Sequence, residues 1–270
     1  MPVSAYIQAA LFVLLNAVAL FAAAGTVKIL GFWVYVAIFA AVMVASFALL
    51  DPGLLRERMR PGGQRPPLAL RLFTLVLLLH WIVAGLDRGR FHWSDNVPPW
   101  AQAAGLIVFA AGFALCFWAM AVNRFFSSVV RIQAERGQYV VMTGPYAYVR
   151  HPGYSAGILI MVASGPALGS SLAAVLLVVS GLPFVLHRAI TEDRVLCAEL
   201  RGYRDYANRV RWAPFAGNLV RQIREAVSGI SRSRSARASG RWLWRCFWGL
   251  AIPNPNPLRP HDAPLVRSGF

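Results

Sequence analysis

The sequence predicts an all-α fold, a polytopic transmembrane helical bundle of four spans plus a C-terminal helical hairpin, with five to six crossings. The chain of 270 residues is 57% hydrophobic and only 14% charged, a composition typical of polytopic membrane proteins. Four apolar runs each reach about 20 residues, the length that a helix needs to cross the hydrocarbon core. A fifth apolar region is broken by glycine and proline, which predicts two shorter arms.

The four runs are predicted to be the first four spans. The second and fourth carry no charge, and Arg71 lies near the edge of the third, where its side chain can reach the interface. Trp100 begins the fourth run, and tryptophan is common at membrane interfaces. The four predicted spans are 5–24, 29–50, 68–86 and 100–122.

The hairpin is predicted over 153–186. The segment "GPALGS", 165–170, interrupts this region, and Gly165 and Pro166 are expected to break a continuous helix. A short arm then enters the membrane and a longer arm returns, which brings the two feet of the hairpin to the same membrane face.

The charge distribution predicts the orientation. The formal net charge is +16, and Lys28 is the only lysine. Arginines beside apolar spans set topology and meet anionic lipid, so membrane lipids are expected partners and nucleic acid is not. Loop 51–67 has four arginines against two acids, and loop 123–152 has four against one, which places both loops and both termini in the cytoplasm. Arginine-only basicity and alanine-rich spans indicate a bacterial protein of the inner membrane.

Two polar clusters flank the hairpin. The first is "GPYAYVRHPGYSAG", 144–157, and the second is the helix exit, 187–215. In the second, Arg188 and Glu192 are four residues apart and share a helical face. The hairpin brings both clusters to the cytosolic mouth of the bundle, which predicts a pocket there. Singly, these residues also fit a surface ion pair, a helix anchor and interface tyrosines.

The order of these motifs carries a resemblance. The first cluster, followed by "R-x3-E-D" and then "GYRDYANRVRWAP", resembles the isoprenylcysteine carboxyl methyltransferase family, which is related to phospholipid N-methyltransferases, over about 123–214. One departure is that Asp193 replaces the second acid of the usual "EE" pair. A second is that the C-terminal arginine position is either Arg209 or Arg211.

The resemblance implies S-adenosylmethionine as cofactor on the cytosolic side and a lipophilic acceptor that enters from the membrane. A carboxylate such as Glu192 suits the cofactor's ribose hydroxyls or ammonium, and Arg150 and His151 suit its carboxylate. Tyrosine faces favour a sulfonium. The predicted catalytic residues are Arg188 and Glu192, and the predicted cofactor-binding residues are Tyr146, Arg150, His151, Pro152, Tyr154, Glu192, Tyr203 and Tyr206.

The acceptor is left open between a prenylcysteine-like carboxylate and an amino lipid. A carboxylate needs no general base, whereas an amine needs one, for which the sequence offers His151 or Glu192. Three regions are expected: four spans (1–122), a methyltransferase-like region (123–215) and a basic tail (216–270) that is disordered or lies on the membrane surface. The cysteines show no metal-type spacing, so no metal site is expected.

Two other functions remain in competition. The hairpin and its exit also resemble the C-terminal part of the NADPH-dependent sterol reductases, through His187, Arg188, Asp193, Cys197, Tyr203 and Tyr206. The reductases usually carry a basic residue just before the acid, where this chain has Glu192, and this favours methyl transfer. The other alternative is a non-catalytic membrane protein that keeps the fold.

Overall fold

The computed structural model describes residues 3–63, 68–94 and 96–210. Within these ranges the fold is helical and forms no β-strand, which confirms the predicted all-α class. The predicted tail, 216–270, and the end of the region before it, 211–215, lie outside the described residues. The eight α-helices of the described ranges are α1 (Val3–Ala24), α2 (Leu30–Leu49), α3 (Pro52–Met59), α4 (Leu68–Leu86), α5 (Pro99–Val122), α6 (Pro152–Ala167), α7 (Ser171–Glu199) and α8 (Tyr203–Arg209).

Five of these helices are long and apolar enough to cross a membrane. They are α1, α2, α4 with the π-helical turn Asp87–Phe91 that extends it, α5 and α7. Helices α1, α2, α4 and α5 coincide with the four predicted spans to within about two residues, and the π-helical turn extends the third span by five residues. The bundle is therefore that of an integral membrane protein, as the sequence predicts.

The predicted hairpin is formed by α6 and α7, but its break lies later than expected. Helix α6 continues through Gly165 and Pro166 and ends at Ala167. A Cβ atom on Gly165 would lie 2.3 Å from the Cβ of Ala174, so this glycine allows the two arms to approach closely rather than breaking the helix. Gly169, at φ +73°, makes the turn.

A buried polar network joins the hairpin to the first four helices. Ser164 Oγ lies 2.8 Å from the Tyr35 hydroxyl and 2.7 Å from His80 Nε2. His80 Nδ1 lies 2.9 Å from the Ala173 carbonyl oxygen, and Trp81 Nε1 donates to the Tyr35 hydroxyl. These contacts link α2, α4, α6 and α7, and a bilayer offers no water to replace them. The network therefore fixes the hairpin against the bundle.

The turn of the hairpin is held at one end of the bundle by Asp87. This buried carboxylate accepts hydrogen bonds from the backbone N–H of Ser94 at 2.8 Å and from the hydroxyls of Ser94 and Ser170. Asp87 directly follows the third predicted span, 68–86, and the structure buries it as an acceptor. With the turn fixed here, the two feet of the hairpin are positioned at the opposite end.

The unequal lengths of the two arms shape that opposite end. Helix α7 has 29 residues and α6 has 16, which correspond to about 43 Å and about 24 Å. A bilayer core is about 30 Å thick. The last turns of α7 therefore extend past the start of α6, and a recess forms between them.

Candidate functional site

A cavity of about 260 Å³ occupies this recess. It lies where α6 begins and α7 ends, and α8 and the irregular segment 124–141, here called the strap, close it. Every residue that the sequence predicts for the site lines this one cavity: Tyr146, Arg150, His151, Pro152, Tyr154, Arg188, Glu192, Tyr203 and Tyr206. The hairpin thus brings the two polar clusters together as predicted.

Asp193 connects the two clusters, although it is not among the predicted site residues. Its carboxylate accepts from Arg150 Nη1 at 3.0 and 3.2 Å, from His151 Nε2 at 3.1 Å and from the Tyr203 hydroxyl at 3.0 Å. The side chains of Asp193 and Arg150 are only 14% and 15% exposed. A charge pair at this depth, with further donors on the same carboxylate, is geometrically fixed. Asp193 therefore orients three predicted cofactor-binding residues.

Arg150 retains one unused donor. Its Nε is buried and has no hydrogen-bond partner among the described residues. A buried donor without a partner costs about 1–3 kcal/mol, more when it carries charge. Arg150 also lines the cavity, which brings its guanidinium beside any molecule bound there.

Glu192 and Arg188 meet at Tyr154 rather than at each other. The Tyr154 hydroxyl donates to Glu192 Oε2 at 2.6 Å, and Arg188 lies near enough to interact with the same hydroxyl. Within the described part of the chain, no ion pair joins Arg188 to Glu192. The interpretation of these two residues as a simple surface pair is therefore wrong. Both face the cavity as a cation and an anion on one helix.

The tyrosines form part of the cavity wall and keep their protons. The Tyr206 hydroxyl donates to the Tyr146 carbonyl oxygen at 2.7 Å, and Asn123 Nδ2 donates to the Tyr146 hydroxyl at 3.0 Å. Tyr203 and Tyr206 pack edge to face, with ring centroids 5.5 Å apart. Burial raises the pKa of Tyr206 to about 12, and burial followed by the charge of Asp193 raises the pKa of Tyr203. These hydroxyls are therefore neutral donors at physiological pH.

The strap is attached to the bundle through Glu57 of α3. Glu57 accepts from Arg131 Nη2 at 2.9 Å, from Ser127 Oγ at 2.9 Å and from the backbone N–H of Gly62 at 3.2 Å. Arg131 also pairs with Glu135, which is largely exposed. Although burial raises the pKa of Glu57, the hydrogen bonds from Arg131, Gly62 and Ser127 hold it below its ordinary value. An ionised Glu57 therefore keeps the strap over the cavity.

Sequence reasoning missed the contributions of Asn123, the strap and Arg58. Asn123 supports Tyr146, and Arg58 reaches the cavity from α3. The segment 56–60 reads "RERMR", so its arginines give equal local signals. Only the packing of α3 determines which of them turns towards the cavity.

The comparison with protein families identifies this region. Residues 103–198 match the model of the isoprenylcysteine carboxyl methyltransferase (ICMT) family. The match confirms the resemblance read from the sequence, and it covers a little over one third of the chain. No curated protein matches the chain.

The ICMT match covers most of the residues that line the cavity. It begins in α5, twenty residues before the predicted start at 123, and ends within α7 at 198. It contains seven of the nine predicted site residues, while Tyr203 and Tyr206 lie beyond its end. The early start has a structural reason, because Gly105 and Gly112 let α5 pack directly on α6. The match implies a methyltransferase.

Proposed function

We propose that the protein is an integral membrane methyltransferase that transfers a methyl group from S-adenosylmethionine, bound in the cavity, to a lipophilic acceptor. The observation that carries this proposal is the convergence of both polar clusters on one cavity through Asp193. The ICMT match supports the type of reaction.

The residues around the cavity fit the proposed cofactor. S-adenosylmethionine has a carboxylate, an ammonium, ribose hydroxyls and a sulfonium, and side chains that line the cavity suit each of these groups. The Arg150 guanidinium suits the carboxylate, and the Glu192 carboxylate suits the hydroxyls or the ammonium. The faces of Tyr146, Tyr203 and Tyr206 suit the sulfonium by cation–π contact, worth about 0.5–2 kcal/mol.

The chain's own residues position the reacting groups and limit the access of water to them. S-adenosylmethionine, when bound, supplies a methyl group already activated on a sulfonium. Asp193 fixes the Arg150 guanidinium and the His151 ring, so these side chains are in place before any ligand arrives. The strap, held by Glu57, covers the cavity and limits water around the reacting atoms. In this proposal Arg188, which lies beside Tyr154, orients the acceptor.

The acceptor is proposed to be a carboxylate on a lipophilic molecule. Leu70 of α4 and Cys116 of α5 line the cavity from membrane-spanning helices, which gives an apolar acceptor a route from the lipid. An amine acceptor needs a base, but His151 donates to Asp193 and Glu192 accepts from Tyr154. A carboxylate needs none. Carboxyl O-methylation therefore agrees better with these contacts than N-methylation.

The proposed location is the cytosolic edge of a bacterial inner membrane. The described part of the first positive loop, 51–63, and the loop 123–152 both contribute residues to the cavity, and loops rich in arginine remain in the cytoplasm. Both termini are then cytoplasmic. In this proposal residues 1–122 anchor the protein, 123–215 hold most of the cofactor site, and 216–270 form the basic tail.

Calorimetry on the detergent-purified protein tests the proposal without knowledge of the acceptor. S-adenosylmethionine and S-adenosylhomocysteine should bind saturably and NADPH should not. Glu192→Ala should weaken binding of S-adenosylmethionine about tenfold or more, because a charge-assisted contact is lost. Glu199→Ala, at an exposed acid on the same helix, is the matched control and should bind as the unaltered protein does.

The other outcomes point to the competing functions. Binding of NADPH alone would move the assignment to a reductase-like enzyme. A folded protein that binds none of the three compounds would favour a non-catalytic role. Unchanged affinity in Glu192→Ala would remove that residue from the cofactor site.

A further inference from the structure

Arg58 brings a second guanidinium into the cavity from outside the ICMT-matched segment. It lies on α3, and its Cζ sits 4.9 Å from the centroid of the Phe126 ring. The backbone there is fixed from two sides. Leu54 and Leu55 pack in a cluster with Met120 of α5, and Ser128 Oγ of the strap donates to the Arg58 carbonyl oxygen at 2.8 Å.

Among the described residues, no carboxylate forms an ion pair with Arg58. Its neighbouring acid, Glu57, is occupied by Arg131, Ser127 and Gly62. Across residues 3–63, 68–94 and 96–210, no ion pair joins Arg58 or Arg188 to a carboxylate. The ionisable side chains acting on Arg58 include Cys116, Arg188, Tyr146 and Tyr154. The tyrosine hydroxyls are neutral, so they leave the charge of Arg58 uncompensated.

The two arginines are close enough to affect each other. Burial, and then the positive charge of Arg188, lowers the pKa of Arg58. A guanidinium nevertheless stays protonated in proteins. Glu192 lines the same cavity but accepts from Tyr154 and pairs with neither arginine. Two guanidinium cations that face one cavity without an ion-pair partner favour the entry of an anion between them.

We infer that Arg58, together with Arg188, binds a carboxylate of a molecule held in the cavity. Guanidinium groups bind carboxylates through paired N–H donors, which gives them both strength and orientation. This inference rests on the proposed function and adds to it a recognition residue supplied by α3. The carboxylate belongs either to the amino-acid end of the methyl donor or to the acidic acceptor.

Matched ligands distinguish these two sources. For the donor, S-adenosylmethionine is compared with decarboxylated S-adenosylmethionine. For the acceptor, N-acetyl-S-farnesylcysteine is compared with its carboxamide. All four are titrated by calorimetry into the detergent-purified full chain and into Arg58→Met. Arg56→Met is the matched control, because Arg56 is an exposed arginine on the same helix, and Arg58→Lys keeps the charge if loss of the arginine impairs folding.

Arg58→Met should weaken the acid member of one pair about tenfold or more. The member of that pair without a carboxylate should bind unchanged, and Arg58→Lys should restore part of the loss. Weakening confined to S-adenosylmethionine would assign the carboxylate to the donor, and weakening confined to the farnesylcysteine acid would assign it to the acceptor.

Two results would overturn the inference: Arg58→Met binding all four ligands as the unaltered protein does, or weakening both members of each pair equally. A different result would refute the proposed function and leave this inference standing. A protein that binds neither donor compound, yet loses its preference for the farnesylcysteine acid in Arg58→Met, would refute the methyltransferase and retain the carboxylate site.

Discussion

Replacing Asp193 by asparagine should damage both the stability of the cavity and its affinity for the methyl donor. The substitution keeps the shape of the side chain and one carbonyl acceptor but removes the charge opposite Arg150. His151 and Tyr203 also lose a charged acceptor. The Arg150 guanidinium, 15% exposed, is then left without a counter-charge.

The magnitude follows from these contacts. Hydrogen bonds to charged groups are worth about 1.5–3 kcal/mol each, and breaking a buried ion pair costs about 3–5 kcal/mol. Because asparagine still accepts from one of the donors, we expect a loss near the lower limit, about 3 kcal/mol of unfolding free energy. For a chain of this size that corresponds to a decrease in Tm of about 6–12 °C.

The assay is thermal unfolding in detergent, followed by tryptophan fluorescence, together with calorimetric titration of S-adenosylmethionine. Asp205→Asn is the control, since Asp205 is an exposed acid on α8. In the double variant Asp193→Asn with Arg150→Met, part of the loss in Tm should be recovered, because no unpaired charge remains. An Asp193→Asn protein that unfolds with the control and binds the donor equally well would refute the role assigned to this carboxylate.

Two further substitutions test the supports of the site. Ser164→Ala should lower the free energy of unfolding by about 1–3 kcal/mol, because Tyr35 and His80 lose their shared partner. Ser180→Ala, at an exposed serine of α7, is the control and should leave it unchanged. Equal effects of the two substitutions on Tm would contradict the stabilising role of the buried network. The lowered pKa of Glu57 means that its carboxylate stabilises the fold above its ordinary pKa of about 4.5 and loses this effect as pH falls through the lower folded value. Glu57→Gln should therefore reduce the loss of Tm between about pH 6 and pH 3, whereas Glu135→Gln, which removes the exposed partner of Arg131, should retain most of it.

The spans and the meeting of the polar clusters were accessible from the sequence because each depends on a local rule. An apolar run of about 20 residues predicts a span regardless of its partners, and α1, α2, α4 and α5 follow that rule. A hairpin returns its two feet to one face, so Arg150 and Arg188 had to approach each other once the turn was recognised. The exact turn was less accessible, because Gly165 serves close packing against Ala174 rather than chain reversal.

The parts of the site that the sequence did not predict depend on side-chain directions and on a chain path that no local pattern contains. Asp193 follows Glu192 directly, and neighbouring helix positions differ by about 100° around the axis. The two acids therefore serve different partners, Glu192 receiving Tyr154 and Asp193 receiving Arg150. The strap has little regular structure, so periodicity gave no prediction of its path. Its position over the cavity follows from the ion pair between Arg131 and Glu57, which are far apart in the sequence.

The unequal arms of the hairpin explain why charged residues can be placed this close to lipid. If α6 were as long as α7, the start of α6 would extend past the membrane boundary and both polar clusters would lie in water, out of reach of an acceptor held in the bilayer. Helix α6 has only 16 residues. Arg150 and His151, which directly precede it, therefore lie closer to the middle of the membrane, beside the cavity that Leu70 and Cys116 also line. The cost of placing charge there is reduced by Asp193, which neutralises Arg150 within the recess. Arg58 and Arg188 form no ion pair with an acid among the described residues, and we infer that their counter-charge comes with the ligand.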